Sequence, residues 1–398
     1  MSSRKTVAIA CQGGGSHAAF TAGVLQTLLL EEAAGDYDII GFSGTSGGAL
    51  SALLAWYGLL TSGPETSVRL LQDLWRDNAA ASPYEQIQNA WTLAAVRAPV
   101  EIKGSPYEFP LAWAVSQQRA LAQLQARWGG WGPREVFVDL QCLLEKHVPF
   151  APDPAPRKVI VPHPPVRPTR LVIGAVDVIS GEFEAFDSES ATGPADDGGF
   201  DSGGISLEAV LASAALPQIF RAVRIGDRAY WDGLFSQNPP IRDFVAGESV
   251  RTADHKPDEI WVIQINQQSG QEPSTPYEIE DRRNELAGNL SLNQEIRAIR
   301  TMNNTMREIV NARAAEASDQ ASAPVEVAGR DRPSYKPVAV HRLKMDRGRL
   351  GREAGRPLDA ASKLDRSAGF IDALMAHGQD RAREFVTAWH DGSLTSET

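Results

Sequence analysis

A serine flanked by glycines is the residue of this sequence best placed for covalent chemistry. Ser46 lies in Gly44-Thr45-Ser46-Gly47-Gly48, between a short apolar run and a longer one. The pattern fits G-x-S-x-G, in which the serine occupies a tight turn from a strand into a helix. Gly44 and Gly48 would permit the turn, and the first N–H groups of the helix would face a developing anion. We therefore predict that Ser46 is a nucleophile; the structural alternative is a serine that caps the helix.

A run of three glycines, Gly13-Gly14-Gly15, follows the first apolar segment. With Ala18 it also satisfies the G-x-G-x-x-A fingerprint of dinucleotide-binding proteins, so a nucleotide-dependent oxidoreductase is a competing hypothesis. That fingerprint requires an acidic residue at the end of the second strand, where this sequence has Ser43. A phosphate-binding P-loop is excluded because no Gly-Lys-Ser/Thr follows the glycines. Successive glycine N–H groups are better suited to an oxyanion hole.

A serine nucleophile needs a base, and the histidines of the chain offer no clear candidate. Apart from His17, which follows the three glycines, none of them has a recognisable motif around it, so each of the other six is more easily explained as a surface or structural residue. Asp232 is the better candidate because it ends a strand-like run and precedes Gly233. An Asp-Gly pair by itself, however, usually marks a turn.

Composition excludes several classes of protein. The chain has 398 residues, of which 42% are apolar and 22% charged, so it can build a sizeable core. Its net charge of −11 argues against a nucleic-acid partner. Two cysteines are too few for a disulfide scaffold and favour a reducing compartment. No cluster of histidines, cysteines and carboxylates has metal-ligand spacing, so the sequence predicts neither a metal nor a cofactor.

The elements that must position these residues alternate along the chain. Short apolar runs at 6–11 and 39–42 alternate with helical patterns at 18–30 and 49–60, which indicates a parallel sheet covered on both faces. Further strands are expected at 171–178, 182–186, 221–225, 228–231, 259–265 and 338–343, and further helices at 206–215, 277–317 and 362–386.

We expect one domain over residues 1–398, with its core at about 5–270 and 338–390. The aromatic segment 83–132 is expected to be an insertion, which either covers the site and binds an apolar chain or adds to the core. The Gly-, Ser- and Asp-rich segment 187–204 is expected to be a flexible loop, because its aspartates lack the spacing of a calcium loop.

Two long uncharged stretches resemble membrane segments, but glycine-rich turns interrupt both. The apolar run at 7–11 is too short for a signal peptide. The stretch 39–64 is long enough to span a bilayer, yet it contains the serine turn. We therefore predict a cytoplasmic protein. Transient contact with a membrane surface could involve the basic segment 341–366, for which a solvated face is the alternative.

Several blocks of the sequence, taken together, resemble the patatin-like phospholipase family in its bacterial form. They are Gly13-Gly14-Gly15, the serine turn, Asp232-Gly233 with Asn238-Pro239 behind it, and the segments 212–220 and 362–366. The resemblance covers most of the chain apart from 83–132 and 187–204. It implies a three-layer α/β/α fold with a mostly parallel central sheet.

The resemblance also implies the chemistry. Ser46 would be the nucleophile and Asp232 the base of a Ser–Asp dyad that needs no histidine and no cofactor. Gly13, Gly14 and Gly15 would form the oxyanion hole. The implied substrates are phospholipids or lysophospholipids, hydrolysed through an acyl-enzyme. A broad carboxylesterase or lipase, an acyltransferase and a catalytically weakened binding protein are the alternatives, and no oligomeric state is predicted.

Three positions depart from the family's pattern. The family has Arg or Lys and then Gly where this sequence has His17 and Ala18, and it has Gly or Ala where this sequence has Leu234. Histidine carries no permanent charge near pH 7. We expect His17 either to contribute to anion binding or to pack against the helix start, and we expect Leu234 to alter the setting of the dyad.

Overall fold

The computed structural model describes residues 4–398 except 33–34, 98–137, 190–203, 218, 247–254, 275, 320–335 and 357. The strands are β1 (Lys5–Cys11), β2 (Tyr37–Gly44), β3 (Arg170–Asp177), β4 (Phe183–Asp187), β5 (Val223–Ile225), β6 (Arg228–Asp232), β7 (Glu259–Gln264) and β8 (Ala339–Lys344). The helices are α1 (Ala18–Glu31), α2 (Gly47–Thr61), α3 (Pro64–Asp77), α4 (Pro83–Arg97), α5 (Leu140–His147), α6 (Leu207–Ser213), α7 (Asp243–Ala246), α8 (Pro276–Asp319), α9 (Arg347–Glu353) and α10 (Ala368–His390).

The eight strands form one sheet whose central strands are parallel. Their order is β5-β6-β3-β2-β1-β7-β8, and β4 pairs with β3. β1 pairs in parallel with β2 and β7, β2 with β3, and β7 with β8, whereas β4, β5 and β6 pair antiparallel. Because β1 and β2 are parallel neighbours, the turns that follow them meet at the same edge of the sheet.

Two strands share one edge of β3. β2 pairs with the first half of β3, ending with Gly44 opposite Ile173. β6 pairs with the second half, where Asp232 lies opposite Ala175. Both must lie on the same side, since β4 pairs with both halves from the other side. This register brings the end of β6 to the end of β2.

Both faces of the sheet are buried, as the apolar runs of the sequence predict. Val7 and Ile9 of β1 point into a core formed with helices α1, α2, α3 and α10. Ala8 and Ala10 point to the opposite face, into a second core that includes Leu292 of α8. A strand buried on both faces needs a continuous apolar run. The predicted α/β/α arrangement is therefore confirmed.

Most predicted elements are present with bounds shifted by a few residues, and two regions differ more. The helix expected at 362–386 is divided into a short 3₁₀ turn, Ser362–Leu364, and α10. The beginning of the expected insertion forms α4, where Tyr84 is 68% exposed and Trp91 73% exposed, so these two aromatics are not buried core. The rest of the insertion and most of 187–204 lie outside the described residues.

No helix within the described ranges combines the length and the apolar character that crossing a bilayer would require. The basic segment 341–366 carries several ion pairs: Arg347 contacts Glu285, Arg349 contacts Glu384 and Arg356 contacts Asp365. Contact of this segment with a membrane surface stays a prediction.

Candidate active site

Ser46 occupies a strained turn between β2 and α2. Its φ of 56° and ψ of −131° lie in a region that residues with a Cβ rarely adopt. The turn is held by the Ser46 N–H, which donates to the main-chain oxygen and the Oγ of Ser213, both at 3.1 Å. The Ser46 side chain makes no capping hydrogen bond to α2. The geometry therefore does not support the alternative of a helix-capping serine.

The glycines around Ser46 allow the backbone to pack very closely. A Cβ on Gly44 would lie 2.6 Å from the Gly48 carbonyl oxygen, and a Cβ on Gly48 would lie 2.2 Å from the Cys11 carbonyl oxygen. Contacts this short do not occur for real Cβ atoms, so neither position accepts a larger residue without movement of the backbone. The two predicted supporting glycines thus make the turn possible.

Asp232 lies at the end of β6 and is almost completely buried, with 1% of its surface exposed. Its Oδ1 accepts the Leu234 N–H at 2.8 Å, and the Ser46 side chain lies close enough to the carboxylate to favour its charged form. Burial raises the pKa of Asp232 to about 7, although the Ser46 side chain and the Leu234 N–H both oppose the shift. A carboxyl group with this pKa can take up and release a proton near neutral pH.

The aspartate turn is fixed directly against the serine turn. A Cβ on Gly233 would lie 2.5 Å from the Gly174 carbonyl oxygen and 2.9 Å from Cγ2 of Thr45. The Thr45 hydroxyl also donates to the Gln237 carbonyl oxygen at 2.6 Å. Leu234 contributes its main-chain N–H to Asp232, and this contact does not depend on the bulk of its side chain.

The loop of three glycines stands beside Ser46. A Cβ on Gly13 would lie 2.8 Å from Ser46 Cβ and 2.6 Å from the Thr45 carbonyl oxygen. The Gly13 N–H donates to Oδ1 of Asn238 at 2.6 Å. Within the described part of the chain, the N–H groups of Gly14 and Gly15 have no recorded acceptor. Neither of these two N–H groups is thus committed to a hydrogen bond within the described residues.

His17 is buried beneath this loop. Its Nε2 lies 2.8 Å from the Ser362 hydroxyl, and its ring packs edge-on against Phe370. Burial, with smaller contributions from nearby Lys363 and Arg347, holds the pKa of His17 well below its usual value. His17 is therefore uncharged at neutral pH, and its contacts favour the packing alternative over anion binding.

Three other histidines are engaged in structural contacts. His147 lies 2.9 Å from Asp77, His341 lies 3.6 Å from Glu259, and His377 packs against Phe20. Among the described residues, no group of three or more histidines, cysteines and carboxylates could hold a metal ion. The aspartates of the segment 190–203 lie outside the described residues.

Sequence reasoning did not single out several polar residues that hold the loop. Gln12 Oε1 accepts the N–H groups of Ile265 and Asn266, at 2.9 and 2.8 Å. The Asn266 side chain donates to the Gly13 carbonyl oxygen at 3.3 Å. Gln12 and Asn266 each come just after the buried residues of a parallel strand. Polar side chains at this position often belong to a functional site, so the position could have identified both residues from the sequence.

A comparison with family models decides the identity of the chain. Residues 9–245, more than half of its length, match the model described as patatin-like phospholipase. The chain belongs to the patatin-like phospholipase family. It is accordingly a hydrolase that acts on the acyl esters of lipids.

The other comparisons add little to this family assignment. No curated protein matches the patatin-like chain. Among solved structures, it is similar to VipD from Legionella pneumophila, with a TM-score of 0.38 and 12% sequence identity. The match covers 97% of this chain and 67% of the VipD chain.

Proposed function

We propose that the chain hydrolyses carboxylic esters of phospholipids or lysophospholipids with a Ser46–Asp232 dyad. The observation that carries the proposal is the approach of the buried Asp232 turn to the strained Ser46 turn, where a Cβ on Gly233 would lie 2.9 Å from Cγ2 of Thr45. A histidine is not needed, because the carboxylate itself receives the serine proton. A buried carboxylate with a pKa near 7 is a stronger base than an exposed one.

The first half of the reaction acylates the serine. Ser46 Oγ attacks the ester carbonyl carbon while its proton passes to Asp232. The N–H groups of Gly14 and Gly15 and the amino end of α2 stabilise the oxyanion that forms. The bond to the alcohol then breaks, and the departing alcohol or lysolipid takes the proton from Asp232. An acyl ester on Ser46 and an ionised Asp232 remain.

The second half repeats these steps with water. Asp232 accepts a proton from water as the oxygen attacks the acyl carbon, and the same N–H groups stabilise the second oxyanion. The bond to Ser46 Oγ breaks, and the serine regains its proton from Asp232. The products are a fatty acid and the free enzyme.

Apolar surface around the dyad supports a lipid substrate. Phe235, which follows the aspartate turn, is 55% exposed. Leu286 and Leu290 of α8 are 49% and 62% exposed, and Ser291 of the same helix binds the Asn238 N–H at 3.2 Å. Exposed apolar side chains near a reacting centre suit an acyl chain better than a small polar ester.

The direct test is covalent labelling with a long-chain fluorophosphonate, followed by intact mass measurement and peptide mapping. We expect one adduct, on Ser46, formed with loss of fluoride. Ser46→Ala should prevent labelling and Asp232→Asn should slow it by at least about a hundredfold, as loss of an activating base does. The matched controls are Ser62→Ala, at the exposed end of α2, and Asp227→Asn, in the exposed β5–β6 turn, which should label at the wild-type rate.

Substrate turnover completes the test. A diacyl phospholipid and a lysophospholipid should release fatty acid, and the rate should exceed that for a short p-nitrophenyl ester. Hydrolysis of the short ester alone would favour the broad carboxylesterase. A folded protein whose Ser46 is not labelled would be a binding protein instead of an enzyme.

A further inference from the structure

The 3₁₀ turn Ser362–Leu364 lies against the glycine loop, although the two segments are far apart in the sequence. Ser362 meets His17 through the hydrogen bond of 2.8 Å. The carbonyl oxygen of Lys363 stands 2.3 Å from the position that a Cβ on Gly15 would occupy. Gly15 has a φ of +57°, so both its conformation and its space require glycine. The main chain of this turn therefore limits where Gly15 can lie.

The side chain of Lys363 reaches the other end of the same loop. Its Nζ donates to Oδ1 of Asn266 at 2.8 Å, and Nδ2 of Asn266 donates to the Gly13 carbonyl oxygen at 3.3 Å. The Asn266 main chain is held separately, because its N–H donates to Gln12 Oε1. The part of this link between Lys363 and Gly13 that can still change is therefore the orientation of the Asn266 side-chain amide.

The charge on Lys363 and the Gly13 carbonyl oxygen favour the same orientation of the Asn266 amide. An ammonium group has three N–H donors and no acceptor, so the Asn266 oxygen must face it and the Asn266 NH2 must face Gly13. A neutral amine has a lone pair and accepts as well as donates. After deprotonation only the Gly13 carbonyl oxygen, which accepts and cannot donate, still fixes the amide orientation. The charge-assisted hydrogen bond from Lys363 becomes an ordinary one of roughly half the strength.

We propose that Lys363 is a positioning residue for the oxyanion loop, and that its protonated amine holds Gly13–Gly15 in the conformation that stabilises the transition state. The positive charge also lies close enough to the loop to act on it, since it contributes to the charge environment of His17. His17 is neutral and cannot supply this charge. The inference rests on the proposed Ser46–Asp232 chemistry.

The groups around Lys363 place its titration in an observable range. Burial and the nearby Arg347 of α9 lower the pKa of Lys363 to about 8, whereas Asp281 of α8 opposes the shift. Arg347 is itself paired with Glu285 of α8, and His17 faces the segment from the start of α1 in its neutral form. The amine is therefore protonated at pH 7 and largely neutral by pH 9.

The experiment measures kcat/KM between pH 5.5 and 9.5 with a short-chain phosphatidylcholine kept below its micellar concentration. We expect the wild type to rise through about pH 7, as Asp232 ionises, and to fall again through about pH 8. Lys363→Met should lose roughly tenfold at pH 7 and should lack the fall at high pH. Lys363→Arg, which stays charged, should recover most of the pH 7 activity and keep it up to pH 9.5.

Two controls separate this role from a merely structural one. Lys336→Met removes one charge at the opposite edge of the sheet, beside Asp258, and should leave the profile unchanged. Thermal unfolding of each variant reports whether it folds. A wild-type profile without a fall between pH 7 and 9.5, or a Lys363→Met profile that still falls near pH 8, would overturn the proposal.

Labelling of Ser46 distinguishes this inference from the function on which it rests. If the wild type labels at Ser46 and the pH profile does not depend on Lys363, only the role of Lys363 is wrong. If Ser46 is not labelled in folded wild-type protein, the proposed dyad and the role of Lys363 are both wrong.

Discussion

The side-chain oxygen of Asn238 accepts the N–H of Gly13 at 2.6 Å. Asn238 is completely buried and belongs to the segment that begins with Asp232. One short segment therefore carries the proposed base and also holds the proposed oxyanion loop. Because the Gly13 N–H is committed to Asn238, the N–H groups of Gly14 and Gly15 remain as the proposed oxyanion donors.

Replacement of Asn238 should lower catalysis more than substrate binding. Asn238→Ala removes the acceptor and frees Gly13, so the loop no longer holds its two donors in one place. We expect kcat to fall roughly 10–100-fold with little change in KM. This fall in kcat should not exceed the one caused by removing a direct oxyanion donor. Steady-state kinetics would measure this. Asn304→Ala, at an exposed position of α8, is the control, and an unchanged kcat in Asn238→Ala would contradict the assignment.

The raised pKa of Asp232 predicts a specific change in stability with pH. The pKa of Asp232 is about 7 in the folded protein, against the ordinary 3.8 of an exposed aspartate, so the folded state binds the proton more tightly. The stabilisation from this proton is complete below about pH 4 and is lost as pH rises to about 7. Asp232→Asn removes the titration. It should therefore gain stability over the wild type across this window, by up to about 4 kcal/mol for about three pKa units.

Urea unfolding of wild type and Asp232→Asn at pH 4.5, 6 and 8.5 would measure this difference. The variant's advantage should grow from the first pH to the last. Comparison of the two proteins is necessary because burial also raises the pKa of Glu295 to about 7, and that titration cancels in the difference. Asp227→Asn, at the exposed turn, is the control for replacing a carboxylate by an amide. A constant difference for Asp232→Asn would be evidence against a perturbed carboxyl.

The backbone of Ser46 predicts an inverted order of stability between two inactive variants. At most positions alanine is more stable than glycine, because glycine loses more conformational entropy on folding. At φ 56° and ψ −131° the Cβ is strained, at a cost of about 1–3 kcal/mol. Ser46→Gly should therefore be more stable than Ser46→Ala by roughly 1 kcal/mol or more. Chemical unfolding would measure it, and equal stabilities would mean that the turn relaxes.

Gly15 and Gly355 provide a matched pair of glycines. Both have positive φ values, +57° and +62°, but a Cβ on Gly15 would meet the Lys363 carbonyl oxygen, whereas nothing lies within 4 Å of a Cβ on Gly355. Gly355→Ala should cost about 1 kcal/mol, the usual cost of this conformation for alanine, and leave activity intact. Gly15→Ala should cost more and abolish turnover, since the loop must move. If the two substitutions changed activity to a similar extent, the close approach of the Lys363 carbonyl oxygen to Gly15 would not be important for catalysis.

Chelation should leave turnover unchanged, because the proposed reaction uses only protein groups. Activity on monomeric phospholipid would be measured before and after treatment with EDTA and then after addition of calcium. A loss that calcium restores would require a metal site, and the aspartates between residues 190 and 203 would be the first candidates for substitution.

The sequence alone predicted the sheet, the order of most elements and the two residues of the proposed dyad. These features depend on local patterns: apolar runs that alternate with helical periods, and glycines on either side of Ser46. Glycine-rich turns are visible locally because a sharp backbone conformation restricts the residue at its own position. Asp232 was a candidate because it ends a strand-like run, but an Asp-Gly pair carries little information by itself, and its role as the base was implied by the resemblance.

Only the tertiary structure decided which distant residues hold the site together. The register of β2 and β6 on one edge of β3 brings Ser46 to Asp232. The contacts of Asn238 with Gly13 and of Lys363 with Asn266 join segments that are distant in the sequence. Such pairs leave no periodic pattern, because each side chain meets its partner only after the sheet has formed. For the same reason the neutrality of His17 and the raised pKa of Asp232 could not be read from the sequence, since both result from burial in the folded protein.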